Sequence, residues 1–550
     1  MKNLIRIIAL FLCLSLTTAI HSQASLFQPS SPKYEIRAVW LTTIGGIDWP
    51  HSYREKEQKD ELLKTLDRLK QAGINTVFLQ TRVRGTTIYP SALESWDGCI
   101  SGHPGRAPHY DPLRFAIDEC HKRGMQLHAW VVTIPVGKWK NLGCATLRKK
   151  NPTLLTKIGD DGYMNPEKPE TATYLARICR EIVSEYDVDG IHLDYIRYPE
   201  NWRQRVDKAK GRANITRIVR AIHHEVKSLK PWVMLSCAPI GKHDNLLRYK
   251  SNGWNARTTV CQDAQQWLSE GLMDALFPMM YFRANQFFPF AIDWQEQSHG
   301  RIIAPGLGIY FLDPREGNWS IEDVTRQMNV LRQIETGHCF FRAKFLLDNV
   351  QGLYDFVRQH NATPALIPPM WWQSHDKPQA PRWLEISDDC TLTWQACKDA
   401  VYNVYASEHY PVDISKAEHL LCTRLTSNKL VVDRSQLLNY AVTVQDRFGQ
   451  ESEAVQFSEP LAFNAALPFS RWQIPIVDKR LTIPEKPSNL DADYLMIETL
   501  EGSPVAIRSY QGTVVDVSGL PEGFYQWRSL GKKGRNHRMG FFSIKRRQLK

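Results

Sequence analysis

The sequence predicts an α/β protein, a (β/α)8 TIM-type barrel followed by one or two small all-β sandwich domains. From Tyr34 to about Trp372, short β-like runs alternate with helical patterns, as in parallel strands joined by crossover helices. Eight such units can be counted, and eight units close naturally into a barrel. After Pro369 the helical periodicity stops and alternating apolar runs follow, which is typical of antiparallel sheets.

The predicted elements follow one another in order along the chain. Predicted strands cover residues 36–42, 76–81, 126–132, 190–194, 233–238, 275–280, 302–307 and 339–345. Helical patterns at 58–72, 112–123, 172–186 and 214–229 lie between them, and glycines close several of these patterns, as at helix C-termini. A doubly wound open sheet is the alternative. It is disfavoured because no Gly-rich phosphate loop follows the first strand and the loops after the strands are long.

Smaller modules are predicted after the barrel, which we assign to residues 33–375, and after a Pro-rich linker at 377–381. Residues 380–460 resemble a fibronectin type III sandwich, with Trp394 inside and tyrosines on later strands. Residues 465–550 form a small β-rich domain, in which 516–525 loosely resembles the C-terminal sorting or attachment domains of secreted proteins; another plain sandwich is the alternative. We expect residues 380–550 to fold separately and to position the barrel.

The N-terminus has the features of a signal peptide. Lys2 and Arg6 precede an apolar run at residues 7–16, and a polar stretch ends in small residues at Ala24. The run is shorter than the roughly 20 residues that span a bilayer, so we predict a signal peptide at 1–24 and no transmembrane anchor. The protein is therefore expected to be exported, as a periplasmic, outer-membrane-associated or secreted protein.

The net charge of +11 is concentrated at the C-terminus. After Glu522 there are nine Lys or Arg residues and no acidic residue, which leaves about +2 for the rest of the chain. Such an end is typical of a solvated edge, and no helix-turn-helix, RNA-recognition or zinc-finger pattern accompanies it. We therefore expect a monomer with no nucleic-acid partner; binding of nucleic acid or a membrane surface through this tail is the alternative.

The cysteines predict one disulfide and no metal site. Ten cysteines follow the signal peptide, without a CxxC pair or the Cys/His spacing of a zinc site, so no metal is expected. Cys99 and Cys144 lie in Gly-rich, loop-like sequence after the second and third strands. Because these loops are neighbours on one rim of the barrel and the compartment is oxidising, we predict that they pair.

The segment 187–199, at the fourth predicted strand, contains the main candidate for a catalytic residue. Alternation places Gly190, His192 and Asp194 on one face of this strand, and active sites of such barrels lie at the C-terminal strand ends. Asp194 therefore reaches the rim, where a carboxylate can stabilise positive charge at an anomeric carbon, attack it or transfer a proton. A structural salt bridge between Asp194 and Arg197 is the alternative.

An ordered set of motifs across the barrel is similar to the glycosyl hydrolase 10-like family of exported bacterial barrels. The motifs lie at residues 35–41, 48–50, 89–91, 110–113, 122–124, 128–130, 187–199, 262–263 and 278–281. Two departures affect the site: residues 132–135 replace an Asn-Pro-Tyr-Arg-like stretch, and Tyr195 stands where many members have a second Asp.

The resemblance implies a function for the barrel. It implies hydrolysis of glycosidic bonds in cell-envelope glycan, notably peptidoglycan strands stripped of stem peptides, by carboxylate chemistry and without a cofactor. The expected partner is therefore a glycan or oligosaccharide substrate. A catalytically inactive, carbohydrate-binding barrel of the cell envelope is the alternative.

The candidate site combines the family motifs with residues at strand ends. The predicted catalytic carboxylates are Asp194 and, as its partner, Asp263 or Asp48; Asp263 can instead cap the following helix. The predicted substrate-binding residues are Trp40, Arg82, Trp96, His128, Trp130, His192, Tyr195, Arg197, Tyr198 and Tyr281. The aromatic members suit stacking on sugars, and Arg82 and His128, placed at the ends of strands two and three, suit hydrogen bonds to hydroxyls or a carboxylate. Core packing or a structural pair is the alternative for each.

Overall fold

The computed structural model describes residues 30–387, 389–432, 438–461, 476–483, 492–499, 503–510, 513–531 and 539–545. The predicted signal peptide and seven of the nine basic residues after Glu522 lie outside these residues. The chain divides into two compact units, Met1–Pro460 and Leu461–Lys550. None of the helices in the described ranges is long and apolar enough to cross a membrane.

Eight parallel strands form the barrel. They are β1 Arg37–Leu41, β2 Thr76–Arg82, β3 Gln126–Val132, β4 Gly190–Asp194, β5 Met234–Cys237, β6 Ala275–Leu276, β7 Ile302–Ile303 with Gly306–Leu307, and β8 His338–Phe340. Consecutive strands pair in parallel from β1 to β6. The first half of β7 pairs with β6 and the second half with β8, which pairs with β1. The ring therefore closes, and the predicted fold class is confirmed.

One main helix follows each strand on the outside of the ring. The helices are α1 Glu55–Gln71, α2 Pro112–Lys122, α3 Pro169–Glu185, α4 Lys208–Leu229, α5 Ala264–Ser269, α6 Phe288–Glu296, α7 Ile321–Gln333 and α8 Leu353–His360. Their starts follow local chemistry, because the side chains of Asp111, Asp207 and Ser320 accept a hydrogen bond from a first-turn N–H. Strand β2 is buried along its whole length, as expected between a packed interior and a helical layer.

Shorter elements occupy the loops at the C-terminal ends of the strands, here called the rim. They are the strands Thr86–Thr87, Ser95–Trp96, Pro135–Lys138, Leu155–Ile158 and Asp161–Met164, the α-helices Gly98–Ser101, Leu142–Lys150, Ala256–Thr259 and Ala343–Leu347, and the 3-10 helices Ile44–Gly46, Ala284–Gln286, Ile309–Leu312 and Val350–Gly352. Most of them belong to the loops after β2 and β3, so the rim is built up on this side.

The interior of the barrel is a packed core. The rings of Phe78 and His192 stack there with their centroids 4.1 Å apart, and Trp40 of the same cluster is 2% exposed. Gly190 is needed on β4 because a Cβ there would lie 2.5 Å from the His128 ring. The inward face of β4, predicted from alternation, is therefore filled by contacts with β1, β2 and β3.

A buried ion network lies at the N-terminal ends of the strands, here called the floor. Glu35 accepts two hydrogen bonds from Arg332 of α7, at 2.9 and 2.7 Å, and one from Arg37 at 2.5 Å. Burial alone would raise the pKa of Glu35, but the hydrogen bond from Arg332 and the charge of Arg37 lower it to about 2. His338 and His360 lie nearby, and burial lowers the pKa of each to about 3. Glu35 and Arg37, at the start of the first family motif (residues 35–41), therefore stabilise the fold at the floor.

Two antiparallel sheets follow the barrel within the first unit. One sheet contains Leu384–Ile386, Thr391–Trp394 and Lys429–Val431, and the other contains Leu420–Leu425, Val401–Ser407, Asn439–Gln445 and Val455–Gln456; the 3-10 helix Ala417–His419 precedes one of these strands. The rings of Trp394 and Tyr402 meet between the two sheets, with centroids 5.4 Å apart. The segment is therefore the all-β sandwich that the alternating pattern predicts.

The sandwich packs against the barrel floor. Arg424 and Arg447 form ion pairs with Asp189 and Asp187, at 2.8 and 2.7 Å. Phe448 packs against the interior cluster of the barrel, and its carbonyl accepts a hydrogen bond from the backbone of Met370. The Pro-rich linker therefore joins two parts of one compact unit, and separate folding of residues 380–550 stays a prediction.

The second unit is a small β-rich fold. A five-stranded sheet contains, in order, Ile476–Val477, Met539–Ile544, Gly523–Gly531, Ala492–Thr499 and Pro504–Ser509, and a second sheet pairs Arg480–Thr482 with Val514–Asp516. Its core includes Ile497, Trp527 and Phe542, which are at most 5% exposed. A role in sorting or attachment stays a prediction.

Candidate active site

Asp194 is the last residue of β4 and lies at the rim, where it is 7% exposed. Its Oδ2 accepts a hydrogen bond from the Trp130 indole at 3.2 Å, and its Oδ1 accepts one from the Tyr195 N–H at 2.7 Å. The N–H and hydroxyl of Thr133 both donate to the Asp194 carbonyl, at 2.9 and 2.7 Å. Groups on two adjacent strands therefore hold the carboxylate in one orientation.

Burial raises the pKa of Asp194 above its usual range. The charge of Arg197 and the hydrogen bond from the Tyr195 N–H oppose this rise, and Trp130 and Arg84 make smaller contributions in the same direction. Asp194 therefore holds its proton more readily than an exposed aspartate does. A carboxyl of this kind can donate a proton or, once ionised, act as a base or nucleophile.

Tyr195 directs the chain away from β4 through a strained backbone. Its φ of 53° is left-handed, which costs a residue with a Cβ roughly 1–2 kcal/mol, and such strain is concentrated at functional sites. The Arg197 guanidinium lies 4.3 Å from the centre of the Tyr195 ring and forms an ion pair with Glu200 at 2.8 Å. Arg197 is thus paired with Glu200 instead of with Asp194, and it acts on Asp194 through its charge.

An aromatic cluster adjoins Asp194 at the ends of β6 to β8. Tyr281 stacks on Phe341 with centroids 5.5 Å apart, and Tyr310 meets the two rings edge-on at 5.7 and 5.9 Å. The pKa of Tyr281 is raised, chiefly by burial and in part by the charge of Asp194. Tyr281 therefore lies within electrostatic reach of the carboxylate, and its contact with a sugar stays a prediction.

A cleft of about 660 Å³ opens at the rim between the loops after β1, β2 and β3. Its volume is typical of a site for a small ligand. Tyr53 in the lining is 68% exposed, and its ring packs on Gly102, so it offers a flat face suited to a sugar. Arg84 also lines this cleft and lowers the pKa of Asp194. Asp194 itself is outside the lining of the cleft, but it lies within electrostatic reach of the Arg84 charge.

Trp40 and His192 lie inside the barrel, which corrects their predicted contact with substrate. The Trp40 indole donates to Nε2 of His192 at 3.0 Å, so the ring proton of His192 is on Nδ1, which faces the Ser236 hydroxyl at 3.0 Å. Burial lowers the pKa of His192 well below its usual value, and both side chains are at most 2% exposed. Alternation identifies the inward face of a strand but not the depth of a residue in the barrel.

Arg82 ends β2 as predicted, but it is fully buried. Its guanidinium forms two parallel hydrogen bonds with Glu94, at 2.8 and 2.7 Å, and donates to the Thr133 carbonyl at 2.9 Å. Arg82 therefore supports the residue that holds Asp194 and does not face a substrate. Glu94 was not identified from the sequence, because its importance comes from its contact with Arg82, 12 positions earlier in the chain.

The other predicted binding residues divide between the interior and the rim. His128 is the third residue of β3 instead of its last, and its ring is fully buried with its pKa lowered to about 4 by burial. Tyr198 is 2% exposed, and its hydroxyl accepts a hydrogen bond from Asn214. Trp130 is 4% exposed and serves Asp194, whereas Trp96 is partly exposed. Trp96 is therefore accessible to solvent, and its stacking on a sugar stays a prediction.

Asp48, a predicted partner carboxylate, is bonded on both oxygens. Its Oδ2 accepts hydrogen bonds from the N–H and hydroxyl of Thr42, and its Oδ1 accepts one from the Lys344 N–H at 3.2 Å and one from Arg342. Asp48 therefore ties the loop after β1 to the loop after β8.

Asp263 immediately precedes α5 and is 7% exposed. It faces His243, Arg212 and Arg257, at 3.4, 3.4 and 3.5 Å. Burial opposes its ionisation, but the hydrogen bond and charge of His243 and the two arginines lower its pKa. Its side chain makes no capping hydrogen bond to α5, so the alternative of a simple N-cap does not account for it.

Cys99 and Cys144 are free, buried thiols, so the predicted disulfide is wrong. Cys144 donates to the Gly137 carbonyl at 3.3 Å, and Cys99 lies in the short helix Gly98–Ser101 with its backbone N–H bonded to Asp97. The two loops are neighbours across the cleft, but the thiols are held in separate local structures. Within the described ranges, no group of three or more His, Cys, Asp or Glu is placed to hold a metal.

A closed (β/α)8 barrel with a buried carboxyl at the end of a strand is an arrangement that suits a glycoside hydrolase, although enzymes of other classes share this fold. Residues 35–210 and 207–310 match the family Glycosyl hydrolase-like 10, and the chain belongs to this family.

Three known proteins illustrate the similarity. Glycosyl hydrolase YngK of Bacillus subtilis (strain 168) is 28% identical over 76% of this chain and 92% of its own. Glycosyl hydrolase DigH of Escherichia coli (strain K12) is 32% identical over 47% of this chain and 67% of its own. Among solved structures, the endo-beta-1,4-mannanase from Thermotoga petrophila is 10% identical, with a TM-score of 0.41 over 78% of this chain and 98% of its own.

Proposed function

We propose that the protein is an exported, cofactor-independent glycoside hydrolase that cleaves glycosidic bonds in cell-envelope glycan, namely peptidoglycan strands stripped of stem peptides. The observation that carries the proposal is the oriented, buried carboxyl of Asp194 at the rim, the end of the barrel at which a cleft also opens. Family membership and relatives named as glycosyl hydrolases support it. The predicted signal sequence supports export.

The proposed chemistry uses two carboxyl groups with opposite tendencies. The pKa of Asp194 is raised by burial, whereas that of Asp263 is lowered by His243 and two arginines. Pairs of carboxyls whose environments separate their pKa values are typical of glycosidases, in which one group gives a proton and the other stays ionised. Asp194 is therefore proposed as the group at the reacting bond, with Asp263 as its partner. Asp48, which ties two loops of the rim together, is the alternative partner.

The neighbours of Asp194 suit a sugar at this position. Developing positive charge at an anomeric carbon is stabilised by an ionised carboxylate in a site of low dielectric constant. The ring of Tyr281 and the exposed ring of Tyr53 offer apolar faces for sugars. Trp130 and the Tyr195 N–H keep the carboxyl oriented throughout.

The proposal is tested with the purified mature chain. It is incubated with stem-peptide-free glycan strands, intact peptidoglycan, chitin oligosaccharides and a neutral β-glucan, and the release of reducing ends is measured and the products are identified by mass. We expect release from the first substrate. In the Asp194→Asn variant the rate should fall by about 10³ or more, on the order of 4 kcal/mol of transition-state stabilisation.

The control is a measurement of thermal stability. Asn preserves the size of the side chain and removes a charge that burial already disfavours. The melting temperature of Asp194→Asn should therefore change by only a few degrees. Glycan that binds the wild type but is never cleaved would favour the inactive, carbohydrate-binding barrel. An Asp194→Asn variant with near-full activity would refute the assignment of this residue.

A further inference from the structure

Arg84, in the loop after β2, is an exposed guanidinium in the wall of the rim cleft. Among the described residues, no hydrogen bond or ion pair is found for its side chain. Two residues earlier, Arg82 shows the contrast, since its guanidinium is buried and bonded to Glu94. Arg82, at the end of β2, thus stabilises the fold, whereas the hydrogen-bond donors of Arg84 face the cleft.

The position of Arg84 is built into the fold. Gly143 packs so closely on the Arg84-Gly85 turn that a Cβ there would lie 2.8 Å from the Gly85 carbonyl oxygen and 3.0 Å from that of Arg84. Gly137 lies against Arg84 from the next loop, where a Cβ would be 3.4 Å from the Cβ of Arg84, and its φ of +96° favours glycine. Gly85 itself has a φ of +70°, which favours glycine. Three glycines therefore seat this arginine between two loops of the rim.

The other charged side chains of the cleft already have hydrogen-bond or ion-pair partners. Lys138 bonds to Asp161 at 3.1 Å, Asp97 accepts hydrogen bonds from Thr86 and the Cys99 N–H, and His51 contacts Glu61. Among the described residues that line the cleft, Arg84 is thus the charged side chain without such a partner.

Arg84 also lies within electrostatic reach of the reacting carboxyl. Its positive charge lowers the pKa of Asp194 and that of Tyr195, alongside the larger effect of Arg197 on each. A negatively charged group bound at Arg84 would therefore lie within electrostatic reach of Asp194, at the same rim of the barrel.

We propose that Arg84 determines specificity by binding a carboxylate carried by a sugar next to the cleaved bond, so that the cleft selects acidic over neutral glycan. This inference rests on the proposed function of Asp194. A guanidinium can form two parallel hydrogen bonds with a carboxylate. It also offsets the repulsion between a substrate carboxylate and the ionised form of Asp194.

The test measures binding in the mature Asp194→Asn protein, in which turnover does not interfere. The two probes are stem-peptide-free glycan strands from peptidoglycan, which carry a lactyl carboxylate on alternate sugars, and the same strands after chemical reduction of these carboxyls to alcohols. Adding Arg84→Met should raise Kd for the acidic strands by roughly 10- to 100-fold, the range for a lost charge-assisted pair. For the reduced strands it should change Kd by less than about twofold.

Two controls accompany the variant. Lys140→Met removes an exposed cation from the next loop of the rim, outside the lining of the cleft, and should leave both Kd values unchanged. Arg84→Lys keeps the charge but not the planar fork, and should restore part of the affinity for acidic strands.

The outcomes separate this inference from the proposed function. Preference for acidic strands that disappears in Arg84→Met supports the inference, even if the wild type releases no reducing ends and the proposed hydrolysis is thereby overturned. Equal loss of affinity for both probes would overturn the inference, because Arg84 would then act only on the general shape of the cleft. Equal cleavage of both strands, with and without Arg84, would also overturn it while leaving the hydrolase function intact.

Discussion

Replacing Trp130 with Phe should move the pKa of Asp194 and thereby show in which protonation state this residue works. The substitution removes the indole N–H that donates to Asp194 Oδ2 at 3.2 Å, but it keeps an aromatic ring in the barrel interior. Burial already raises the pKa of Asp194, and the indole is one of the groups that oppose this rise. Its loss should therefore raise the pKa further.

The size of the shift follows from the geometry. A hydrogen bond to a charged group contributes about 1.5–3 kcal/mol, and a separation of 3.2 Å is at the long end for N–H···O. The lower end of that range corresponds to about one pKa unit. The hydrogen bond from the Tyr195 N–H at 2.7 Å should persist in the variant and limit the shift.

The assay is the pH dependence of kcat/KM on a glycan that the wild type cleaves. If Asp194 works in its ionised form, the acidic limb of the profile should move up by about one unit. If it works as a proton donor, the alkaline limb should move up by the same amount. The limb that moves thus identifies the role, which a loss of rate alone does not.

The control is Trp40→Phe, which removes an indole hydrogen bond to His192 in the same interior. It should lower the melting temperature without moving either limb. A profile of Trp130→Phe that coincides with the wild type at both limbs would refute the reasoning, because the indole would then have no influence on the reacting carboxyl.

Three further predictions concern stability. Glu94→Gln should lower the free energy of unfolding by about 3–5 kcal/mol, because it leaves the charge of Arg82 buried without its partner; a loss below about 1 kcal/mol in urea titration would contradict this. A chain that ends at residue 372 should melt well below one that ends at residue 460, because it loses Phe448 and the ion pairs at the floor; equal melting by circular dichroism would show that the barrel needs no sandwich. Between pH 7.5 and 5.5, His338 and His360 together should contribute a fall in stability of about 3 kcal/mol. The reason is that their folded-state pKa values are about 3, below the unfolded value, so they favour the folded state above roughly pH 6.5 and lose this contribution as the pH falls; the buried His128 and His192 add to the fall with the same sign. His338→Gln should reduce the fall by about 1.4 kcal/mol, and an unchanged pH profile would contradict the assignment.

Sequence reasoning placed Asp194 at the end of β4, where the structure has it, because this information is local. An apolar run with period two identifies β4 and its inward face, and the strand end marks the rim. The same reasoning placed His192 and Trp40 among the substrate contacts, although both are buried in the barrel core. Whether a residue on the inward face is at the rim or in the core depends on strand tilt and on side chains from other strands.

Local sequence patterns did not identify the hydrogen-bond and ion-pair partners of the site residues. Arg82 is paired with Glu94, which no motif marks, and Asp48 is bonded to Arg342, a residue 294 positions away. The expected disulfide failed for a related reason. Neighbouring loops are necessary for a bridge, but the direction of each thiol depends on the packing of its own short helix.

By itself, the sequence determined the repeat of strand and helix, the closing number of eight units, the family and the carboxyl at the end of β4, because periodicity and motif order arise from the local geometry of the backbone. Only the tertiary structure decided which polar residues face the cleft, which of them hold Asp194, and that the sandwich covers the floor. These features depend on contacts between residues far apart in the chain, which exist only once the ring has closed and brought its loops together.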